Sequence, residues 1–137
     1  MDGEYGAKIF CVAPKLDQAD IVYSDFWQMV QKEPELFDLI KRRKSDYFVE
    51  STNSSVKKIA FNAKKADGFN PHLTVCDEIA SWPGEKGLKQ YEVMKSALGA
   101  RKQPLILSIS TSGYENEGIY DELIKRATRF LKGDSRE

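Results

Sequence analysis

Two consecutive carboxylates, Asp77 and Glu78, are the residues of this sequence that best fit catalytic chemistry. They follow the short apolar run 73–76, which predicts a buried strand. Open α/β sheets place their ligand sites at the carboxyl ends of such strands. At that edge an aspartate can hold Mg²⁺, and a neighbouring carboxylate can orient or deprotonate an attacking water. We therefore interpret Asp77 as a metal ligand and Glu78 as a catalytic base, although a strand ending in Asp-Glu is more often a polar strand end or a helix cap.

A second polar cluster follows the apolar run 105–109 and consists of Ser110, Thr111, Ser112 and Gly113. If that run is a strand beside the acidic strand, its hydroxyls emerge at the same phosphate and metal position. A hydroxyl there can sense a γ-phosphate and move when the phosphate leaves. Alone, the cluster is typical of a Ser/Thr-rich turn that leads into a helix. The two clusters together are more specific than either one.

The sequence lacks the phosphate-binding half of such a site. It contains no Gly-x-x-x-x-Gly-Lys-Ser/Thr loop, and no glycine is followed by lysine anywhere in it. That loop supplies the backbone amides and the lysine that hold the phosphates. The acidic strand has the form of a Walker B strand, which works together with such a loop. Either the acidic pair has another role, or the chain is a piece of a larger enzyme.

The composition is that of a globular domain. With 137 residues, of which 41% are hydrophobic and 31% charged, the chain fits one domain with a usable core. Its 21 basic residues balance 21 acidic ones, so the overall charge gives no sign of nucleic-acid binding. Cys11 and Cys76 lie in apolar runs and are expected to be buried in a reducing cytosol. We find no signal peptide, and no apolar run approaches the roughly 18 residues of a membrane span.

Short apolar runs alternate with helical patterns, which predicts an α/β fold with a parallel sheet covered by helices. Strands are predicted at residues 8–13, 73–77 and 105–109, and a β-hairpin at residues 47–50 and 57–62 around the turn 52–55. Helices are predicted from the N-cap Asp17 to near Pro34, at residues 36–44 and 88–100, and from the N-cap Asn116 to Gly133. We interpret the basic run 41–44 as a solvated face rather than a DNA or partner contact.

Three blocks of the sequence, in this order, resemble the ATPase domain of the large terminase subunits of tailed bacteriophages. The segment that follows the Walker A helix in that family is similar to residues 2–10 (DGEYGAKIF), then Ala13-Pro14-Lys15 and Asp17-Gln18-Ala19. The Walker B region resembles residues 68–73 (GFNPHL), which lead into Asp77-Glu78-Ile79 and Trp82. The coupling motif, which links hydrolysis to movement, is similar to Ile109-Ser110-Thr111-Ser112-Gly113-Tyr114.

The resemblance implies a fold class, a three-layer P-loop NTPase-like fragment with a parallel sheet and an inserted β-hairpin. In the additional-strand P-loop class, strands 8–13, 73–77 and 105–109 are parallel neighbours in that order, and 73–77 is central. In that class the usual neighbour on the other side of strand 105–109 is the Walker A strand. This sequence lacks the Walker A strand, so we expect that edge to be unpaired. The full-length protein would be the ATP-driven motor that packages viral DNA into procapsids.

The resemblance also implies site residues, cofactors and partners. Asp77 would bind Mg²⁺, Glu78 would be the catalytic carboxylate, and Thr111, Ser112 and Gly113 would contact the nucleotide and couple its hydrolysis to movement. The implied cofactors are ATP and Mg²⁺. The implied partners are double-stranded viral DNA, a portal protein, a small terminase subunit and further copies in a homo-oligomeric ring, in the bacterial host cytoplasm and without a membrane.

Residues 1–137 therefore resemble a partial ATPase domain, after Walker A and before a nuclease domain. This fits an excised segment of a longer protein and equally a truncated prophage product. We expect the chain alone to be inactive. The alternatives are a RecA-like helicase domain, which fits less well because the acidic pair is not part of a DExD/H box, and a non-catalytic P-loop-like binding module.

No arginine finger is assigned from the sequence. The basic candidates are Arg101, Lys64 and Lys65, and a basic residue such as Arg101 is more often a helix-end charge. His72 is the sole histidine and is expected to pack or to form a hydrogen bond at the start of a strand. Trp27 and the other tryptophan, Trp82, are interpreted as packing residues.

Overall fold

The described part of the chain contains six strands, four α-helices and three short 3₁₀ helices at Glu50–Thr52, Ile79–Ser81 and Ala97–Ala100. A computed structural model describes residues 4–60, 70–82, 84–111 and 118–133. The strands are β1 (Lys8–Ala13), β2 (Ile40–Arg42), β3 (Tyr47–Val49), β4 (Ser54–Ala60), β5 (Leu73–Cys76) and β6 (Leu105–Ser108). The helices are α1 (Leu16–Lys32), α2 (Pro34–Leu39), α3 (Gly84–Ser96) and α4 (Gly118–Leu131). None of these helices combines the length and the apolar character that crossing a bilayer requires.

The strands form one sheet in the order β2-β3-β4-β1-β5-β6. β1 pairs in parallel with β4 and β5, and β5 pairs in parallel with β6. Only β3 runs the other way, because it pairs antiparallel with both β2 and β4. The predicted order is confirmed, since β1, β5 and β6 are parallel neighbours with the acidic strand β5 in the middle. The predicted hairpin is found as β3 and β4, and β4 joins the main sheet beside β1. Its predicted turn 52–55 is wrong in part, because β4 already begins at Ser54 and the chain turns at Glu50–Thr52 and Asn53.

Helices cover both faces of the sheet and give the predicted three layers. Alternate residues of a strand face opposite sides, so Cys11 and Val12 of β1 enter different cores. The first core joins β1 to α1, β2, β3 and β4, and its buried members are Cys11, Tyr23, Val30, Ile40, Tyr47 and Val56. The second core joins β1 to β5, α3 and α4, and its buried members are Val12, Cys76, Ile79, Trp82, Met94 and Ile119.

The predicted helix at residues 36–44 is wrong in its second half. α2 ends at Leu39, and Ile40–Arg42 form the edge strand β2. Ile40 pairs with Val49 across the sheet and is buried in the first core. The β-branched side chain packs well on a pleated surface, and this tertiary contact outweighs the short helical pattern.

Two helix starts also differ from the prediction. Lys15 is the N-cap of α1 and Asp17 lies in the first turn. The prediction of Asp17 as the cap is therefore wrong, although its negative charge still favours the positive end of the helix dipole. α3 begins at Gly84, ahead of the predicted residue 88. Asn116, the predicted cap of the last helix, lies outside the described residues.

The predicted ends of elements agree better with the structure. α1 ends at Lys32, shortly before Pro34. Gly133 follows α4 with φ +78°, a left-handed conformation that glycine adopts without steric cost and that commonly ends helices. β1 ends immediately before Pro14, as predicted.

The two edges of the sheet differ in chemistry. β2 is only three residues long and exposes Lys41 and Arg42, features that discourage the addition of another strand. At the other edge, Leu105 is 54% exposed, Leu107 47% and Ile109 40%. The chain therefore presents a charged edge and an apolar edge.

The exposed leucines of β6 share a face with the half-buried Leu73 and Val75 of β5. The register pairs Leu105 with Leu73 and Leu107 with Val75. Val75 in turn pairs with Cys11, which marks this face as the one on which α1 packs against β1 and β4. This half of the face is thus an apolar strip beside α1.

We expect the chain to self-associate through the β6 edge, because an apolar edge with unpaired backbone groups invites strand addition. In sizing experiments at high concentration it should elute as a species larger than a monomer. Leu107→Lys should restore the monomer, since a charge on the edge opposes pairing. Leu36→Lys is the matched control, because Leu36 is 42% exposed but belongs to α2 near the opposite edge. A parent chain that stays monomeric at high concentration would contradict this prediction.

Candidate functional site

The carboxyl ends of β5 and β6 bring the two polar clusters together. Cys76 of β5 is in register with Ser108 of β6, so both strands end at the same level. Backbone hydrogen bonds continue the pairing beyond them. The Ile109 N–H donates to the Cys76 carbonyl at 2.9 Å, and the Ile79 N–H donates to the Ile109 carbonyl at 3.2 Å. The residues after one strand are therefore held beside the residues after the other.

Glu78 contacts the segment that follows β6 through one carboxylate oxygen. The Thr111 hydroxyl donates to Glu78 Oε1 at 2.8 Å, and the Thr111 N–H donates to the same oxygen at 3.3 Å. The Ser110 hydroxyl lies 3.3 Å from this oxygen and 2.7 Å from the Thr111 carbonyl. Because a hydroxyl has one proton, the shorter contact is the main one. The Ser110 oxygen also accepts the Ala80 N–H at 2.9 Å.

The backbone of Glu78 is left-handed, with φ 49° and ψ 53°. For a residue with a side chain this conformation costs about 1–2 kcal/mol, so neighbouring contacts must hold it. The Ser81 N–H and the Ser81 hydroxyl both donate to the Glu78 carbonyl at 2.9 Å. Together with the Thr111 contacts, these bonds fix both the backbone and the carboxylate of Glu78.

The two neighbouring carboxylates have opposite pKa shifts. The hydrogen bonds from the Thr111 hydroxyl and N–H lower the pKa of Glu78, and Ser110 adds to this. Burial raises the pKa of Asp77; the charge of Glu78 raises it further, while a backbone hydrogen bond from Glu78 partly offsets both. Glu78 is therefore held as an anion at neutral pH, and the ionised form of Asp77 would gain from a nearby cation.

The other candidate residues lie elsewhere or outside the described ranges. Ser112, Gly113, Lys64 and Lys65 are outside them. Arg101 donates to the backbone carbonyls of Gly6 at 2.8 Å and Asn70 at 3.1 Å, and it pairs with Glu4 at 3.4 Å. Gly6 and Asn70 precede β1 and β5. Arg101 therefore lies at the amino-terminal ends of these parallel strands, whereas the acidic pair lies beyond the carboxyl end of β5.

His72 pairs with Glu4 at the same amino-terminal ends. Its side chain is buried there, as expected of a residue that packs at the start of a strand. Cys11 and Cys76 are free and buried, as expected. Burial, assisted by the charge of Asp77, raises the pKa of Cys11 to about 11, and burial raises the pKa of Cys76 to about 12. Both thiols stay protonated and act as small core residues.

A family model described as "Terminase large subunit, ATPase domain" matches residues 1–129. The chain belongs to this terminase family. The solved structure of the large terminase of bacteriophage HK97 matches 96% of this chain with a TM-score of 0.79 at 22% sequence identity. The P-loop NTPase-like fold class is thereby confirmed, as is the resemblance to the terminase ATPase domain.

The relatives of this terminase chain are much longer than the chain itself. The chain covers 28% of the HK97 protein. "Protein YmfN" of Escherichia coli (strain K12) is 38% identical over 70 residues, which is 51% of this chain and 15% of that protein. The chain thus spans well under two thirds of either protein.

The carboxylate oxygens of this candidate site could supply some, but not all, of the ligands of a Mg²⁺ ion. Carboxylate oxygens are hard ligands of the kind that Mg²⁺ prefers, and this ion usually keeps several waters and binds through one or two carboxylates plus phosphates. In the described ranges no three His, Cys, Asp or Glu side chains converge into a complete metal site. Asp77 therefore fits as one ligand of an ion whose other positions are filled by water and phosphate.

Ser110 belongs to the contacts between the two loops, although the resemblance places the nucleotide contacts from Thr111 onward. Its bond from the Ala80 N–H ties the loop after β5 to the loop after β6. The signal available in the sequence was its position, since it is the first hydroxyl after the apolar run.

Replacing Thr111 with Val should raise the pKa of Glu78 towards its ordinary value, because the strongest contact that stabilises the anion is lost. Carbon-13 NMR of the Glu78 carboxyl during a pH titration would measure this. A lowered folded-state pKa means that Glu78 stabilises the fold above the ordinary glutamate pKa. This contribution is lost as the pH falls through the lowered value.

Ser81→Ala is the matched control for this titration. The Ser81 hydroxyl donates to the backbone carbonyl of Glu78 and not to its carboxylate. The Ser81 variant should therefore leave the pKa of the Glu78 carboxyl unchanged. Equal titration curves for the parent and the Thr111 variant would show that this contact does not stabilise the anion.

Proposed function

We propose that this chain is the central part of the ATPase of a terminase large subunit, the motor that packages viral DNA into procapsids. The observation that carries the proposal is the contact of Glu78 with Thr111. This contact joins the acidic strand to the coupling segment at the carboxyl edge of a P-loop NTPase-like sheet. Membership of the terminase family supplies the reaction class, the hydrolysis of ATP.

Asp77 and Glu78 take different roles in this reaction. Asp77 is the Mg²⁺ ligand, because its carboxylate is half-buried with a raised pKa and a nearby cation would favour its ionised form. Glu78 stays ionised at neutral pH because its pKa is lowered, so its charge can orient the attacking water. The same shift makes Glu78 a weak base, so positioning of the water is its main contribution to the catalytic role. Mg²⁺, when bound with ATP, neutralises charge on the phosphate oxygens.

The coupling segment comprises Thr111, Ser112 and Gly113. Thr111 touches the catalytic carboxylate directly, so any displacement of this segment changes the position of the Glu78 oxygen. Conversely, loss of the terminal phosphate removes a contact from the segment and lets it move. We propose that this link transmits hydrolysis to the rest of the motor.

The β6 edge supports the assignment of residues 1–137 to a partial ATPase domain. Among the described strands β6 is the last in the sheet, so its outer backbone and the apolar strip of Leu105 and Leu107 could accept a further strand and a covering helix. A strand, a phosphate loop and a helix that precede this segment in a longer chain would supply both. They would also bring the phosphates next to Asp77. A nuclease domain would follow the segment.

In a full-length protein, the motor would act on double-stranded viral DNA in the cytoplasm of the bacterial host. We propose that it assembles as a homo-oligomeric ring on a portal protein and receives DNA from a small terminase subunit. Terminase family membership supports these partners as a class, and we interpret the basic run 41–44 as a solvated face. Arg43 in that run is already paired with Asp46 at 2.6 Å.

The test uses a restored ATPase, defined as this chain with a strand, a phosphate loop and a helix added at its amino end. Glu78→Gln keeps the size and the hydrogen-bonding capacity of the side chain but removes its charge. Turnover should fall by about 100-fold or more while ATP still binds. Asp77→Asn should instead raise the Mg²⁺ concentration that ATP binding requires. Equal turnover in the Glu78 variant and the restored parent would remove Glu78 from the catalytic role, and a restored parent without any turnover would favour a binding module.

The chain without the added segment should show little or no ATPase activity. Phosphoryl transfer depends mostly on positioning and charge stabilisation, and the phosphate loop supplies much of both. Titration calorimetry with Mg-ATP and a phosphate-release assay would measure binding and turnover. The control is the Asp77→Ala, Glu78→Ala double variant, which identifies contaminating ATPase. Micromolar binding with hydrolysis that the double variant abolishes would show a phosphate site that does not need the added loop.

A further inference from the structure

We infer that Trp82 is a positioning residue for the acidic pair, because its indole N–H fixes the backbone from which both carboxylates project. The inference rests on the proposed function of Asp77 and Glu78. It goes beyond that function by assigning a role to a residue that the sequence interprets as packing alone. The role is to hold the turn after β5 in one conformation before any ligand binds.

The contact has the ordinary length of a hydrogen bond, and its donor belongs to a buried residue. Trp82 Nε1 donates to the Asp77 main-chain carbonyl at 3.0 Å. Trp82 is only 2% exposed and belongs to the second core with Met94 and Ile119. A hydrogen bond from a buried, tightly packed ring has a fixed direction, because the ring cannot turn without disturbing the core.

The bond completes the fixation of the Asp77 main chain. On the sheet side, the Asp77 N–H donates to the Val12 carbonyl of β1 at 3.0 Å. On the other side, the Asp77 carbonyl accepts the Trp82 indole N–H. The peptide group between Asp77 and Glu78 is therefore oriented by a core side chain. This peptide group sets ψ of Asp77 and φ of Glu78, the angle that is unusual here at 49°.

A strained conformation persists only where the surroundings determine it fully. If the Asp77 carbonyl loses its donor, the peptide group can rotate and Glu78 can relax to an ordinary right-handed conformation. That rotation would turn the Glu78 carboxylate away from Thr111. The indole thus acts on Glu78 through the backbone, without touching its carboxylate.

The packing around Trp82 supports a fixed position. A Cβ at Gly87 would lie 3.1 Å from Trp82 Cβ and 3.6 Å from Ile119 Cγ2. Any residue with a side chain at position 87 would bring its Cβ too close to Trp82. The glycine therefore allows α3 to pack closely against Trp82. Trp82 also shares the second core with Met94 of α3 and Ile119 of α4, so both helices contribute to its surroundings.

The chain has two tryptophans, and Trp27 offers a matched control for Trp82. It lies on α1 against the first core, on the opposite face of the sheet. Its ring stacks on Tyr47 with centroids 5.0 Å apart. Substitutions at Trp27 therefore test packing of the same side chain without touching the acidic turn.

The first measurement uses the 137-residue chain and the indole N–H signals in proton–nitrogen NMR. Trp27→Phe identifies the remaining signal as that of Trp82. The Trp82 indole N–H should exchange with deuterium at least about tenfold more slowly than that of Trp27, because exchange requires its hydrogen bond to open. An indole N–H of Trp82 that exchanges as fast as that of Trp27 would overturn the inference.

The second measurement uses the restored ATPase with benzothienylalanine at position 82, which keeps the ring shape but replaces N–H with sulfur. The kcat should fall by about tenfold to 100-fold while KM for ATP and the thermal midpoint stay near the parent values. The same substitution at position 27 should leave kcat unchanged. A kcat at the parent level in the position 82 variant would overturn the inference, as would equal losses at both positions.

These outcomes separate the inference from the proposed function. If Glu78→Gln abolishes turnover but the position 82 variant is fully active, the proposed function stands and the role of Trp82 falls. If Glu78→Gln leaves turnover unchanged, the proposed catalytic role of Glu78 fails, and if the restored parent shows no turnover, the proposed ATPase function fails. The exchange measurement on the chain alone still decides whether the indole holds the Asp77 carbonyl.

Discussion

The parallel pairing of β5 with β6 is the constraint on which the candidate site depends. The register of Cys76 with Ser108 ends both strands at one level. Glu78 then follows one strand by two residues and Thr111 follows the other by three, so their side chains meet although they are 33 positions apart. A shift of one residue would turn every side chain of β6 to the opposite face and break this contact. The central position of β5 protects the register, since β1 holds its other edge.

The acidic pair shows how two adjacent carboxylates acquire different properties. Glu78 turns outward in a left-handed backbone conformation and meets hydroxyl and amide donors, so its pKa falls. Asp77 stays closer to the core, where burial raises its pKa. Paired titratable groups whose environments separate their pKa values are typical of acid, base and metal-binding roles. One peptide unit of backbone thus separates two chemical environments.

Structural ion pairs lie at the amino-terminal ends of the parallel strands, on the side of the sheet away from the acidic pair. Glu4 contacts both His72 and Arg101, and Arg101 also donates to two backbone carbonyls. Buried charges are tolerated when they are paired and hydrogen-bonded in this way. The guanidinium joins the segments before β1 and β5 and aligns the starts of the parallel strands. The opposite ends of these strands carry the exposed hydroxyls of Ser110 and Thr111 and the half-buried carboxylates of Asp77 and Glu78.

The sequence by itself determined the class of fold and the candidate chemistry. Apolar runs of strand length, helical spacing and Pro or Gly stops are local signals, and they predicted β1, β5, β6 and the ends of α1 and α4. The acidic pair and the hydroxyl cluster were recognisable because residue type and position after a strand are also local. The resemblance of three ordered blocks then predicted that β5 lies between β1 and β6.

Only the tertiary structure decided what depends on contacts between distant residues. Ile40 became part of a strand because Val49 and the first core accept its side chain, which no local pattern records. Arg101 lies at the amino-terminal ends of the strands because it donates to the carbonyls of Gly6 and Asn70, which are distant from it in sequence. Trp82 carries the same apolar character as any core tryptophan, and its bond to Asp77 exists only because α3 and α4 fix the ring. Hydrogen-bond direction and register are set by packing in three dimensions, so they cannot be read from residue types alone.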